Sequence, residues 1–113
     1  MLTVYKYQLD PGAANRFRTK RLMRVVHVAP SYSAEYERDT SLGVPDDRET
    51  RIRAERINVW CLVDTSAEQI SDFVIFGTGH PVTPNVQHVG TAVMPSGLIW
   101  HVFVPYSDFA VEQ

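Results

Sequence analysis

At 113 residues and 12.8 kDa the chain has room for one domain and a modest core. With 44% apolar and 21% charged residues it is not a disordered chain, and its single cysteine, Cys61, excludes an intramolecular disulfide and a cysteine-built zinc site. The net charge of −2 hides a division: residues 1–56 hold all 11 Lys/Arg and 8 of the 13 acids, a balance of +3, and residues 57–113 hold the other 5 acids and no Lys or Arg, a balance of −5.

Leu2 to Leu9 alternates, with Leu2, Val4, Lys6 and Gln8 against Thr3, Tyr5, Tyr7 and Leu9, as a half-buried strand does. It lacks the apolar stretch of a signal peptide, and no apolar run nears the roughly 18–20 residues that span a bilayer, so a cytoplasmic protein without a membrane partner is expected. Asp10-Pro11-Gly12 is a turn. A basic, weakly patterned segment (Arg16, Phe17, Arg18, Thr19, Lys20, Arg21) leads into a valine-rich strand over Leu22–Ala29, which Pro30 is expected to end.

Residues 31–55 change character, being polar and rich in both charges. They read as an inserted arm, with a short helix over 46–55 that has acids at its start and basic residues toward its end, as the helix dipole prefers. Ile57–Val63 is a strong strand stopped by Asp64-Thr65-Ser66, and Ser71–Phe76 is another stopped by Gly77, close enough for a hairpin. After the loop to Pro84, Val86–Met94 alternates, with Val86, His88, Gly90 and Ala92 on one face. Pro95-Ser96-Gly97 turns the chain into a last strand, Leu98–Val104, and the tail over 105–113 carries Tyr106, Phe109 and Val111, which need a surface to cover.

The expected architecture is mainly β. About six antiparallel strands curl into a small barrel or sandwich, forming one domain over 1–113 with the arm (31–55) and tail (105–113) attached. Val59–Val63 and Phe73–Phe76 are apolar on both faces, which one wet-faced antiparallel sheet does not explain, so a homo-oligomer is expected.

Val4-Tyr5-Lys6-Tyr7, the 57–64 stretch Ile-Asn-Val-Trp-Cys-Leu-Val-Asp, Gly77-Thr78-Gly79-His80-Pro81, Val89-Gly90-Thr91 and Trp100-His101-Val102-Phe103 together resemble a family of small uncharacterised proteins. Its members are encoded by bacteriophages, prophages and bacteria. The resemblance runs over residues 1–9 and 57–103, and the 31–55 arm departs from it. It implies a compact β domain and a phage setting, in the host cytoplasm, and brings no activity with it.

Each candidate for chemistry has a plainer reading. Gly77-Thr78-Gly79 exposes backbone N–H groups that could cradle an anion, but a phosphate loop needs a lysine and a following helix, which Pro81 and Pro84 deny. The plainer reading is a strand-ending turn where glycine supplies φ > 0. His27, His80, His88 and His101 fit no metal spacing and have no neighbouring acid, so no metal is expected. Cys61 reads as a buried thiol, Ser96 as a turn residue, and Asp46-Asp47 as a helix start, leaving no catalytic set and no cofactor motif. Arg16, Arg18, Lys20, Arg21 and Arg24, with Phe17 among them, could grip phosphates and stack a base. The acidic whole-chain balance argues against nucleic acid and for a solvated loop or pairing with a neighbour's acidic half.

The residues favour a non-enzymatic, self-associating accessory protein holding a partner or small anionic ligand, a nucleotide among the options, near the Gly77–His80 loop. Gly77, Thr78, Gly79, His80 and His101 would make the contacts, with Arg24 or Arg53 from a subunit neighbour. The alternatives are a structural or interaction protein (a virion component or host-factor inhibitor) and a small hydrolase using His80 and His101.

Overall fold

The computed structural model describes residues 1–44 and 46–110, which form β1 (Leu2–Leu9), β2 (Asn15–Tyr32), α1 (Ala34–Ser41), α2 (Arg48–Ala54), β3 (Glu55–Gly77), β4 (Val86–Val93), β5 (Ile99–Pro105) and a 3-10 turn (Tyr106–Asp108). All strand pairs are antiparallel, and the path β1–β3–β5–β4, with β2 on β3, does not close into a barrel. The protein is mainly β, as expected, with five strands in place of about six.

The missing strand is a merger, because the two strands predicted on either side of Asp64-Thr65-Ser66 are one strand, β3, of 23 residues. Asp64 does not turn the chain. Its carboxylate accepts the Ser66 N–H (3.0 Å) and hydroxyl (2.7 Å), and the Thr65 N–H donates to the Met1 carbonyl at 2.9 Å. The register against β2 passes from Lys20↔Glu68 to Arg21↔Asp64, so residues 65–67 face no β2 partner. Such a bulge bends a strand without ending it.

The bend is sharp. Leu9 lies opposite Ile57 and Asn15 opposite Phe73. A straight β3 would separate those positions by about 50 Å, and the short link from Leu9 to Asn15 spans at most roughly 20 Å. β3 therefore folds back on itself. Tyr7 shows the result, its ring 6.4 Å from that of Phe73 and 5.8 Å from that of Phe17, with its hydroxyl accepting the Lys20 N–H at 3.0 Å. Between the two halves lies the core: Ile57, Val59, Cys61 and Val63 of β3 with Leu9, Leu22, Phe73, Met94, Val102 and Val104. Each fully buried Val, Leu, Ile or Phe contributes about 1.5–3 kcal/mol.

β2 begins seven residues earlier than the predicted Leu22 and runs through Pro30, which pairs with Ile57. Among the described residues β2 has only β3 as a strand partner there, so a residue without an N–H is tolerated. The arm holds two helices where one was predicted. Ser33 caps α1 by accepting the Tyr36 N–H (3.2 Å), and Asp47 caps α2 by accepting the Thr50 N–H (2.7 Å). That bond holds the Asp47 carboxyl below its usual range. At the tail, Phe109 packs on the core and the Ala110 N–H donates to the Leu22 carbonyl at 2.8 Å, while Tyr106 stays exposed and Val111 lies outside the described residues. No helix among the described residues is long and apolar enough to cross a membrane.

Candidate functional site

β3 ends at Gly77, and the two loop glycines serve different ends. Gly79 has φ +86, the left-handed backbone the sequence anticipates, whereas Gly77 makes room for a ring. A Cβ on Gly77 would fall 2.9 Å from His80 Cε1. The His80 imidazole folds back over it and accepts the Gly77 N–H at Nδ1 (3.2 Å), and the His80 N–H donates to the Gly77 carbonyl (3.1 Å). Two of the loop's N–H groups are thus used inside the turn, which narrows the anion cradle read from the sequence.

Thr78 turns the other way, its Oγ1 3.0 Å from His101 Nε2. His101 Nδ1 is 3.0 Å from Thr91 Oγ1, which is 3.0 Å from His88 Nε2. Four side chains from the loop, β5 and β4 therefore form one hydrogen-bonded line. The register places them, with Phe76↔His101↔Thr91 as one cross-strand row and Val74↔Phe103↔His88 as the next. The His88 ring rests edge-on against Phe103 at 5.2 Å, and Phe103 against Phe76 at 5.4 Å.

A neutral imidazole has one N–H and one lone pair, so the line runs in one direction at a time. With a proton on His88 Nε2, Thr91 accepts from His88 and donates to His101 Nδ1. His101 Nε2–H then donates to Thr78, whose own proton is left for a group at the loop. A protonated His101 donates at both ends and keeps both threonines.

Beside the loop is an open hollow of about 360 Å³ lined by Gly77, Thr78, His80, Leu98, Ile99 and Trp100. Leu98 and Trp100 also wall a second hollow, with Arg53 and Glu55 on its far side. Arg53 thus reaches this stretch of surface within the same chain, its guanidinium on Glu49. Arg24 does not line either hollow; it borders one at the far end of the line, beside His88 and Phe109.

The whole chain, residues 1–113, matches the family described as Domain of unknown function (DUF7352). The chain belongs to that family. No curated protein and no solved structure matches it significantly.

In this DUF7352 member the hydroxyls bonded to histidine among the described residues are those of Thr78 and Thr91, and neither Cys61 nor Ser96 has such a bond. Cys61 is fully buried, and burial pushes its thiol up to about 12. Ser96 donates its hydroxyl to the buried Glu55 carboxylate at 2.6 Å, and its N–H to the other oxygen at 3.1 Å. Among the described residues no Ser or Cys is hydrogen-bonded to a histidine. Another hollow, of about 280 Å³, lies in the arm, where the Tyr36 hydroxyl donates to Asp46 at 2.8 Å. Lost hydration and that bond push the Tyr36 hydroxyl up to about 12.

Sequence reading missed His88 and Thr91 as members of the site. Simple alternation puts His88 with Gly90 and Ala92, and Thr91 on the opposite face. The register shifts between His88 and Gly90, so Val89 is the extra residue and the phase reverses after it. Only the glycine following a valine inside a strand hinted at that bulge.

Proposed function

We propose that this DUF7352 domain is a non-enzymatic binding protein that holds a small anionic ligand of the nucleotide class at the Gly77–His80 loop. The observation that carries the reading is His101, which is bonded at both ring nitrogens by Thr78 and Thr91 and so ties the loop to β5 and β4 beside the hollow. A loop held this way is pre-organised and loses little freedom on binding. Trp100 and Leu98 offer an apolar wall for a flat base, and Thr78, His80 and Arg53 border it with donors for a phosphate. The hydroxyl bonded to a base on this surface is that of Thr78, and in this reading its bond to His101 fixes the loop for holding.

Self-association belongs to the same reading. β1 is an edge strand that leaves Leu2 and Val4 about half exposed, an edge another copy can pair with. In the phage setting that the resemblance implies, such a domain acts as an accessory protein, sequestering a host nucleotide or docking on a partner. That exposed edge also favours the second reading, a purely structural or interaction protein.

Native mass spectrometry of the purified protein, with thermal shifts against a nucleotide panel, tests both. A retained nucleotide or a shift abolished by His101→Ala is the expected result. Oligomers with no ligand and no shift would leave the interaction reading in its place.

A further inference from the structure

We propose that the outward face of β1, β3 and β2 is a platform for single-stranded nucleic acid. Cross-strand partners share a face, and the register gives three rows: Lys6–Trp60–His27, Val4–Leu62–Arg24 and Leu2–Asp64–Arg21. These positions alternate with the buried Val59, Cys61 and Val63, so they point away from the core.

Two bulges build the face. Arg21, Arg24 and His27 are spaced by three, and regular alternation would send the middle one inward. The register shifts between Leu22 and Arg24 and between Val25 and His27 insert one residue each, Met23 and Val26. All three polar side chains thereby face out while Leu22 and Val25 pack on the core. Bulges that re-aim side chains in this way concentrate at binding sites.

Trp60, half-buried, stands on the middle strand with the His27 ring 5.3 Å away. Lys6, Arg21 and Arg24 flank it on the outer strands, exposed, and none makes an ion pair among the described residues. The one acid in these rows, Asp64, is engaged by the Met1 amine and Ser66. Stacking on an aromatic with cations on either side is how sheet surfaces hold single strands, because every base has a π face and every linkage a phosphate.

The other occupants fit less well. A duplex hides its base faces and leaves Trp60 unused. A second copy in face-to-face contact would set three unpaired cations against three. An acidic protein answers the cations but not the indole. The whole-chain charge of −2 averages over surfaces, since Glu68, for example, is taken up by Arg18 and Lys20 on another part of the sheet. Phe17, the aromatic that the sequence sets among the arginines, is turned inward against Tyr7 and Phe73; Trp60 takes its place.

The test is fluorescence anisotropy of a labelled oligo(dT) of about 12 nucleotides, against a hairpin duplex of matched charge and with polyglutamate as competitor. Saturable binding is expected, with log K falling against log salt at a slope of roughly −2 for three phosphate contacts. Arg21→Glu with Arg24→Glu, both exposed, should weaken it tenfold or more and flatten that slope. Trp60→Leu, checked by melting for an intact fold, should weaken it severalfold with the slope unchanged. Absence of saturable binding, equal affinity for the duplex, or displacement by polyglutamate together with indifference to Trp60→Leu would each overturn the proposal. The last of these would assign the face to an acidic protein.

Discussion

Gly90 of β4 meets Val28 of β2 so closely that a β-carbon on the glycine would fall 2.4 Å from Val28 Cγ2 and 2.7 Å from its Cβ. This contact brings the folded-over half of the sheet down onto the other, and the obstacle is a stiff β-branched side chain on a strand. Gly90→Ala should cost about 1–3 kcal/mol, the usual range for overpacking. The melting temperature should fall by roughly 4–8 °C per kcal/mol in a domain this small. Val28→Ala in the same chain should restore part of the loss. Strictly additive losses in urea unfolding would show that the contact does not limit packing.

Asp64 gives the fold a defined acid sensitivity. The hydroxyl and N–H of Ser66, with a smaller contribution from the Met1 amine, hold its carboxyl down at about 2. A folded-state value below the unfolded one stabilises the protein above the ordinary carboxylate pKa of about 4, and the contribution fades as pH falls toward 2. The urea midpoint of the wild type should therefore decline through that window. Asp64→Asn should start lower and decline less; parallel curves for the two proteins would remove Asp64 as the cause.

Cys61 should be chemically silent in the native protein. Its thiol is fully buried and pushed up to about 12, so almost no thiolate exists at neutral pH. Iodoacetamide at pH 8 should label it only after denaturant is added. Stoichiometric labelling of the folded chain would mean that the core opens far more readily than its packing implies.

Much of this fold is legible in residue order, and several of the failures share one cause. The apolar alternation over Ile57–Val63 and Leu98–Val104 locates core strands, and Asp47 announces α2. What alternation cannot report is an unpaired residue. Residues 65–67 merge two predicted strands into one, Val89 moves His88 and Thr91 to the same side, and Met23 with Val26 collects Arg21, Arg24 and His27 outward. A bulge depends on the partner strand, and the partner is chosen by tertiary packing. The second apolar face read from Trp60 and Leu62 shares its cross-strand rows with Lys6, His27 and Arg24, a juxtaposition that the same register shifts create.

Glu55 and Ser96 join the start of β3 to the β4–β5 turn across the arm, and the pair is buried on the carboxylate side. Ser96→Ala removes one bond to a charged acceptor and should cost about 1.5–3 kcal/mol. Glu55→Leu strands both the Ser96 hydroxyl and its N–H, and should cost at least as much in denaturant titration. A neutral or stabilised Glu55→Leu would show that burying the carboxylate costs as much as its bonds return.

Gly77 and His80 are coupled, and the coupling separates local structure from ligand binding. In Gly77→Ala the methyl would meet the His80 imidazole at 2.9 Å, and the ring, at the end of a swinging side chain, should give way and lose the Gly77 N–H. That bond is exposed, so the loss in stability should be about 0.5–1 kcal/mol. His80→Ala removes the same bond by another route. The double variant should therefore be no less stable than either single one, a non-additivity measurable by urea unfolding. Additive losses would show that Gly77 does not make room for that ring. If a nucleotide produces a thermal shift in the wild type, the shift should shrink equally in all three variants, because each leaves the loop without its ordered imidazole. A shift retained in His80→Ala but lost in Gly77→Ala would instead assign the contact to the backbone of the turn.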